Sequence, residues 1–286
     1  MGPTASIYAI KARIKGVEST GKITKTMKLV STAKLHQTQI QLARLEDFAE
    51  KCRQSMSLVL SDIDGDECPL LKAREIKKVC YVLFVGNRGL CGAYNWDVLR
   101  FLRAQLQQEQ AEYFTLICGR WSGEHRQDKS LKVERCFDDI EDIPSQEQSQ
   151  ELSRYIQELY VSGRADKVVL VYQRRESMGQ RPQAFQLLPL DENCGGKGGD
   201  CIFEPDKLSL VNTLSRMYVD NNIAKVLLQA KVSEHFARMT AMTNAIDNAD
   251  ELLHELNLTL NRTRQAKITT EISEVVGGAN ALRNGE

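Results

Sequence analysis

Proline is absent from two long stretches of this 286-residue chain, residues 4–68 and 206–286. Because proline interrupts helix interiors, each stretch is free to form one unbroken helix. The first stretch also repeats apolar or small residues at steps of three and four, as the seam of a coiled coil does. We therefore predict a helix over residues 6–61, roughly 80 Å long. Its predicted seam consists of Ile7, Ile10, Ile14, Val17, Gly21, Thr24, Lys28, Ser31, Leu35, Thr38, Leu42, Leu45, Ala49, Cys52, Met56 and Val59.

The C-terminal stretch repeats the same spacing, and two helical arms at opposite ends of one chain most simply pair antiparallel. Its small and polar seam residues bury little apolar area, so we expect the arms to need a surrounding partner to be ordered along their whole length. The predicted seam is Met242, Ala245, Ala249, Leu252, Leu256, Thr259, Thr263 and Ala266, flanked by Ile246, Leu253 and Leu260.

The middle of the chain alternates strand and helix patterns. The continuous apolar run at residues 78–85 is typical of a buried parallel strand. Further strands are predicted at 113–118, 167–173 and 184–190, with helices at 94–111 and 145–160 and an exposed Gly-rich loop at 191–200. The predicted fold class is therefore α/β. We divide the chain into an N-terminal coiled-coil helix (1–65), a Rossmann-like α/β body with a mainly parallel sheet (75–205), and a C-terminal coiled-coil helix (206–286).

Charge and cysteine spacing exclude several function classes. The 38 basic and 38 acidic groups cancel, which argues against a globally basic nucleic-acid binder. No apolar run approaches the roughly 20 residues that cross a bilayer. The eight cysteines lack paired C-x-x-C spacing, so neither a disulfide scaffold nor a zinc site is indicated. The N-terminal residues show no secretory signal, and we expect a reducing cytoplasm.

No self-contained active site is visible in the sequence, and we predict no catalytic, cofactor-binding or metal-ligating residue. The turn Gly86-Asn87-Arg88-Gly89-Leu90-Cys91-Gly92 has the spacing G-x-x-G-x-x-G, without a following G-K-[ST]. A tight turn is therefore favoured over a phosphate cradle. The histidines lie far apart and are assigned to the surface or to helix faces: His36, His125, His235 and His254.

Two further features each allow two interpretations. Between residues 11 and 34 of the first arm, seven basic residues occur with a single acid, Glu18. They form either a solvated helix face or a contact for an acidic protein partner. Nucleic acid is the weaker option, because no aromatic residues are interleaved. Cys194 and Cys201 flank a Gly-rich loop; they are either unpaired thiols, which a reducing cytosol favours, or a redox-sensitive pair. The basic residues are Lys11, Arg13, Lys15, Lys22, Lys25, Lys28 and Lys34.

The C-terminal run at residues 261–281 closely resembles the signature of the F-type ATP synthase gamma subunit, bacterial type. Its core pattern, I-T-x-E-x-x-E-x-x-x-G-A, matches residues 268–279 without a gap. Residues 22–28 are similar to the family's K-I-T-K-x-M block, residues 89–95 to its G-L-C-G-x-Y-N turn, and residues 233–242 to the start of its final helix. The resemblance covers nearly the whole chain in the right order.

The resemblance implies a non-catalytic rotor subunit. In such proteins the coiled coil stands inside a ring of alpha and beta subunits, and the body meets epsilon and the membrane c-ring. Flow of protons or sodium ions then turns the rotor and drives ATP synthesis on beta. The expected location is peripheral, on the cytoplasmic face of the inner (plasma) membrane. The resemblance also implies partner contacts at Lys22, Lys25, Met27, Lys28, Arg238, Arg262, Gln265, Thr269 and Glu271.

Overall fold

The computed structural model describes residues 6–59, 68–72, 74–120, 129–176, 179–190 and 206–283. Its described residues form two compact units: a coil unit, which runs up to Val30 and resumes at Met239, and a body unit within Ser31–Arg238. A 3-10 turn at Lys129–Leu131 precedes the third strand. The helices are α1 (Ile7–Val59), α2 (Tyr94–Gln108), α3 (Gln146–Val161) and α4 (Lys207–Arg283); the strands are β1 (Lys78–Phe84), β2 (Glu112–Cys118), β3 (Val133–Phe137), β4 (Lys167–Glu176) and β5 (Gly179–Leu188).

The sheet has the order β3-β2-β1-β4-β5, with β5 antiparallel to β4 and the other neighbours parallel. The predicted mainly parallel sheet is confirmed. The prediction missed β3, whose Glu134 and Arg135 are exposed, because an edge strand needs little apolar sequence. The last strand begins at Gly179 rather than at residue 184. Pro182 is tolerated there because β5 is also an edge strand.

Strand β1 is buried on both faces, as the run at 78–85 predicts. Cys80, Val82 and Phe84 share a core with α3 and with parts of α1 and α4. Tyr81 and Leu83 belong to a second core, which α2 covers. The body unit therefore has helices on both faces of its sheet, in the manner of a Rossmann-like fold.

The body core also includes parts of the two long helices. Met56 and Val59 of α1 and Val219 and Ile223 of α4 lie in the same apolar cluster as the sheet. For this reason the three sequence segments at 1–65, 75–205 and 206–286 do not coincide with the two compact units, whose boundaries cut through both helices.

Local side-chain bonds mark where the helices begin. Ser6 Oγ accepts from the Ala9 N–H at 3.3 Å before α1, and Asp206 Oδ1 accepts from the Ser209 N–H at 2.8 Å before α4. Ser145 forms a capping box at α3. Although α1 and α4 are long, no helix in the described part of the chain is apolar enough over a sufficient length to cross a membrane.

The predicted seam of α1 is confirmed, since each of its residues is buried or half-buried. Its polar members satisfy their hydroxyl groups within the helix. Thr24 Oγ1 donates to the Thr20 carbonyl at 2.9 Å, and Thr38 Oγ1 donates to the Lys34 carbonyl at 2.8 Å. Bonds of this kind let a threonine face a neighbouring helix without a buried, unpaired hydroxyl.

The predicted seam of α4 is wrong in part. Ala245, Thr259 and Ala266 are exposed, whereas the residues treated as flanking are half-buried. Larger apolar side chains take the buried face because each removes more apolar area from water than alanine or threonine does. The observed seam steps by four and three through Met242, Ile246, Ala249, Leu253, Leu256, Leu260 and Thr263.

The two arms are antiparallel, as predicted. In the coil unit, one groove is lined by Ile7 and Lys11 near the start of α1 and by Thr263 and Thr270 near the end of α4. The body unit shows the same direction in its hydrogen bonds. Gln229 donates to Glu46 at 3.2 Å and Asn221 donates to Cys52 at 3.4 Å, so residue numbers rise along α1 as they fall along α4.

The revised seam can be tested with a matched pair of leucines on α4. We expect Leu253→Ala to lower the free energy of unfolding by about 1–2 kcal/mol, because Leu253 is half-buried in the seam. Leu258→Ala, at a side chain 44% exposed, should change it by less than about 0.5 kcal/mol. Urea unfolding followed by circular dichroism measures both. Equal effects would contradict the four-three seam.

Candidate functional site

Residues 226–235 of α4 are buried on every side, although they include three ionisable groups, Lys231, Glu234 and His235. Helices buried all round are normally apolar, because a buried charge is costly unless it is paired and hydrogen-bonded. The partners of these three groups define the candidate functional site. The site lies within the body unit.

The carboxylate of Glu234 is the centre of the site. It accepts hydrogen bonds from Lys231 Nζ at 2.9 Å, from Arg238 Nη2 at 2.7 Å and from the Asn87 N–H at 3.2 Å. Burial raises the pKa of Glu234, but the charges and hydrogen bonds of Lys231 and Arg238 outweigh burial and lower it. Glu234 is therefore ionised, with both oxygens satisfied.

The Glu234 carboxylate and its partner Arg238 hold the turn after β1 against α4. The Gly86 N–H donates to Asn95 Oδ1 at 2.8 Å, and the Arg238 guanidinium donates to the Arg88 carbonyl at 3.2 Å. A Cβ at Gly86 would stand 3.1 Å from Glu234 Cδ, a tight contact that a larger residue could make only if the Glu234 side chain shifted. The N–H groups of Gly86 and Asn87 thus point at protein acceptors rather than at a bound phosphate, which favours the tight-turn interpretation.

Asp142 connects the same turn to α1. Its carboxylate accepts from Lys34 Nζ of α1 and from Asn87 Nδ2 at 3.4 Å, and Arg88 Nη2 lies 3.8 Å away. Burial raises the pKa of Asp142, but the Lys34 hydrogen bond and the charges of Lys34 and Arg88 lower it to about 2. Asp142 is therefore a permanent anion near neutral pH.

His235 completes the network in its neutral form. Its Nε2 lies 2.9 Å from the Asp142 carbonyl oxygen, which can only accept, so Nε2 carries the proton. Its Nδ1 lies 3.4 Å from Arg238 Nη1, which can only donate. Burial is the main cause that lowers the pKa of His235. The assignment of the histidines to the surface or to helix faces places His235 correctly on a helix, but it did not anticipate that this side chain is fully buried.

The predicted partner contacts fall on both units. In the coil unit, Lys22 and Lys25 are exposed and Met27 and Lys28 are half-buried on α1. In the body unit, Arg238 is buried, and its guanidinium is engaged by groups of its own chain.

The remaining predicted contacts, Arg262, Gln265, Thr269 and Glu271, are exposed on α4. They lie along the same stretch of helix as Thr263 and Thr270, which border the start of α1, so the structure does not bring them beside Lys22 and Lys25. Cys194 and Cys201 fall outside the described residues. Among the residues the structure describes, no group of His, Cys, Asp and Glu side chains is arranged to hold a metal ion.

Sequence reasoning missed Lys231, Glu234 and Asp142. The spacing of Lys231, Glu234 and Arg238 places all three on one face of a helix, which was a usable signal. Surface helices carry the same pattern as solvated ion pairs, so the sequence could not show that this face is buried.

The ion cluster predicts a large stability effect at Glu234. Glu234→Gln leaves two buried cations without their anion, and we expect the free energy of unfolding to fall by about 3–5 kcal/mol. Adding Lys231→Met removes one of those cations and should recover about 1–3 kcal/mol. Glu151→Gln, at an exposed pair with Arg135, is the control and should change it by less than about 0.5 kcal/mol. Urea unfolding measures all three. A double variant no more stable than Glu234→Gln would contradict the cluster.

The neutral His235 predicts a pH dependence of stability. The pKa of His235 is depressed in the folded chain. Its contribution to the free energy of unfolding is therefore fully present above pH 6.5, the ordinary pKa of histidine, and is lost as the pH falls below that value. His235→Gln keeps a donor for the Asp142 carbonyl but cannot titrate. In this variant the free energy of unfolding should fall less steeply with decreasing pH, by up to about 1.4 kcal/mol per pH unit. The measurement compares urea unfolding at about pH 7.5 and about pH 5.5. Parallel pH curves for the two proteins would show that His235 does not titrate this way.

Known proteins match this chain along nearly its whole length. The sequence model of the family described as ATP synthase matches residues 6–282. The ATP synthase gamma chain of Moorella thermoacetica is 37% identical over 281 residues, covering 98% of this chain and all of the relative. That of Desulfitobacterium hafniense is 36% identical over 279 residues, covering 97% and 99%.

Solved structures share the fold. A chain of the Euglena gracilis mitochondrial ATP synthase OSCP/F1/c-ring structure matches with a TM-score of 0.71 at 23% identity, over 98% of this chain and 95% of that one. A chain of the Tetrahymena thermophila central stalk and c-ring structure matches with a TM-score of 0.59 at 20% identity, over 78% and 99%. With the gamma-chain relatives aligned along nearly their full length, this chain belongs to the ATP synthase gamma chain family.

Proposed function

We propose that this chain is the central-stalk rotor of an F-type ATP synthase, which couples ion flow through a membrane rotor ring to ATP synthesis or hydrolysis. Besides family membership, one observation supports the proposal most directly. Every residue of α4 from 264 to 280 is exposed, although Thr270 borders the groove beside the start of α1, so the described residues of the chain bury no face of this stretch of helix.

The exposed end of α4 carries apolar side chains, whose contact with water is unfavourable. Ile268, Ile272 and Val276 are each about half exposed, at 45%, 58% and 54%, and Val275 is 72% exposed. A helix that faces water all round gains no stability from packing. We infer that a ring of alpha and beta subunits surrounds this segment and supplies the missing contacts.

The basic residues of α1 suit a rotating contact. Lys22 and Lys25 are exposed, and charged side chains at a protein surface form weak, solvated and exchangeable pairs. We infer that they meet an acidic segment of beta. Such contacts let the rotor pass successive partners and favour a different beta conformation at each position, which is a population shift driven by contact.

The body is proposed to bind epsilon and the c-ring, which places the protein peripherally on the cytoplasmic face of the membrane. The ATP chemistry is assigned to beta, so this chain is non-catalytic by itself. The occupied N–H groups of the turn after β1 agree with this assignment, because they leave Gly86 and Asn87 committed to Asn95 and Glu234.

The direct test is rotation. The chain is co-expressed with its cognate alpha and beta subunits, the ring is fixed to a surface, and a bead attached to the body is followed during ATP hydrolysis. Stepwise rotation in one direction is expected. A complex that hydrolyses ATP equally well without this chain, and shows no rotation with it, would contradict the proposal.

The basic contact predicts an effect of charge reversal. Replacing Lys22, Lys25 and Lys28 by Glu should weaken assembly with the ring about tenfold or lower ATP-driven ion pumping to a similar extent, because several exchangeable attractions become repulsions. The readouts are complex yield on gel filtration and pumping into vesicles. The matched control reverses three exposed basic residues of α1 in the body unit, Arg44, Lys51 and Arg53. Unchanged pumping in the first variant, or equal losses in both, would remove the proposed contact.

A further inference from the structure

Four segments of the body unit meet in one hydrogen-bonded network. Lys34 of α1 binds Asp142, which follows β3, and Asn87 of the turn after β1 donates to the same carboxylate. The Asn87 N–H in turn donates to Glu234 of α4. The network therefore ties both long helices to the same turn of the α/β body.

Lys34 joins α1 to this network through its ion pair with Asp142. The side chains of Lys34 and Asp142 are 29% and 16% exposed, so water screens the pair less than it screens pairs at the open surface. Asp142 is fixed on its other side by Arg88 and by the bond that its carbonyl accepts from His235. Movement of Lys34 relative to the body must break this pair or carry Asp142 with it.

The link to α4 is a buried cluster. Arg238 donates to two carbonyls of the turn, those of Arg88 and Gly89, at 3.2 Å and 3.4 Å, while Glu234 holds Arg238 and Asn87 together. Because Glu234 is only 1% exposed, no water can replace a bond that rotation of α4 would break.

Directional bonds resist rotation in a way that apolar contacts do not. Apolar attraction depends on the area removed from water and is non-directional. Hydrogen bonds weaken steeply once they bend, and separating a buried ion pair leaves uncompensated charge. A torque about either helix axis is therefore opposed most strongly where charged groups have fixed partners on the body.

We propose that Lys34 and Asp142 on one side, and Glu234 and Arg238 on the other, are positioning residues that lock α1 and α4 to the body and carry torque between them. This inference rests on the proposed rotor function. The residues act through the helices and do not touch nucleotide.

The test uses the assembled alpha–beta–gamma complex in the rotation assay, with a bead on the body and the motor stalled by withholding ATP. The variance of the bead angle is inversely proportional to the torsional stiffness between ring and bead. Asp142→Asn breaks the ion pair that joins α1 to this network, so the variance should rise by up to about twofold. Asp139→Asn, at a fully exposed carboxylate three residues earlier, is the control and should leave it unchanged.

A double-variant cycle separates the link from general destabilisation. Lys34→Met removes the same ion pair from the α1 side and should also widen the distribution, and the double variant should equal Asp142→Asn alone, with nothing further added. If the complex that carries Asp142→Asn fails to assemble, Lys34→Met alone tests the ion pair. Loss of stability alone would lower complex yield without this equality.

The outcomes distinguish the inference from the proposed function. Absence of rotation in the wild-type complex would overturn the function itself. Normal wild-type rotation with unchanged angular variance in both single variants would overturn only the torque-carrying role of the ion pair. Additive widening in the double variant would likewise overturn it, because Lys34 and Asp142 would then act independently.

Discussion

The buried carboxylate of Glu234 is the interaction on which the arrangement of the body depends. It neutralises Lys231 and Arg238 in a segment of α4 that is otherwise sealed from water, and it accepts the N–H of Asn87 at the turn after β1. Without this anion two cations would lie unpaired in the interior, and the turn would lose its attachment to α4. This one group therefore fixes which part of α4 faces the turn after β1.

The network around Glu234 also explains how a chain with long helical arms can act through an α/β body. Apolar packing places α1 and α4 against the sheet, and the ion pairs then specify which residues of each helix face the turn. The Lys34–Asp142 pair extends that specification to α1. A rotor needs both properties, since packing supplies stability and fixed polar partners supply resistance to slip.

Predictions from the sequence were correct where a pattern extended over many residues. They failed where the assignment depended on a few residues that fit more than one position. The seam of α1 and the buried strand at 78–85 extend over many residues and were predicted correctly. The seam of α4 was misassigned at Ala245, Thr259 and Ala266, because small residues fit either side of a helix and the leucines and isoleucines decide between them. Strand β3 was missed because an edge strand with Glu134 and Arg135 has no distinctive apolar pattern.

The sequence by itself determined the two long helices, the α/β body and the family, because proline spacing, apolar periodicity and the C-terminal signature are local properties of the chain. Only the tertiary structure decided the state of the polar residues. From sequence alone, the stretch of α4 that contains Lys231, Glu234 and His235 cannot be distinguished from a solvated helix face. In the folded chain all three side chains are buried. The physical reason is that burial and pairing depend on segments far apart in sequence, such as Lys34 and Asp142, which no local pattern connects.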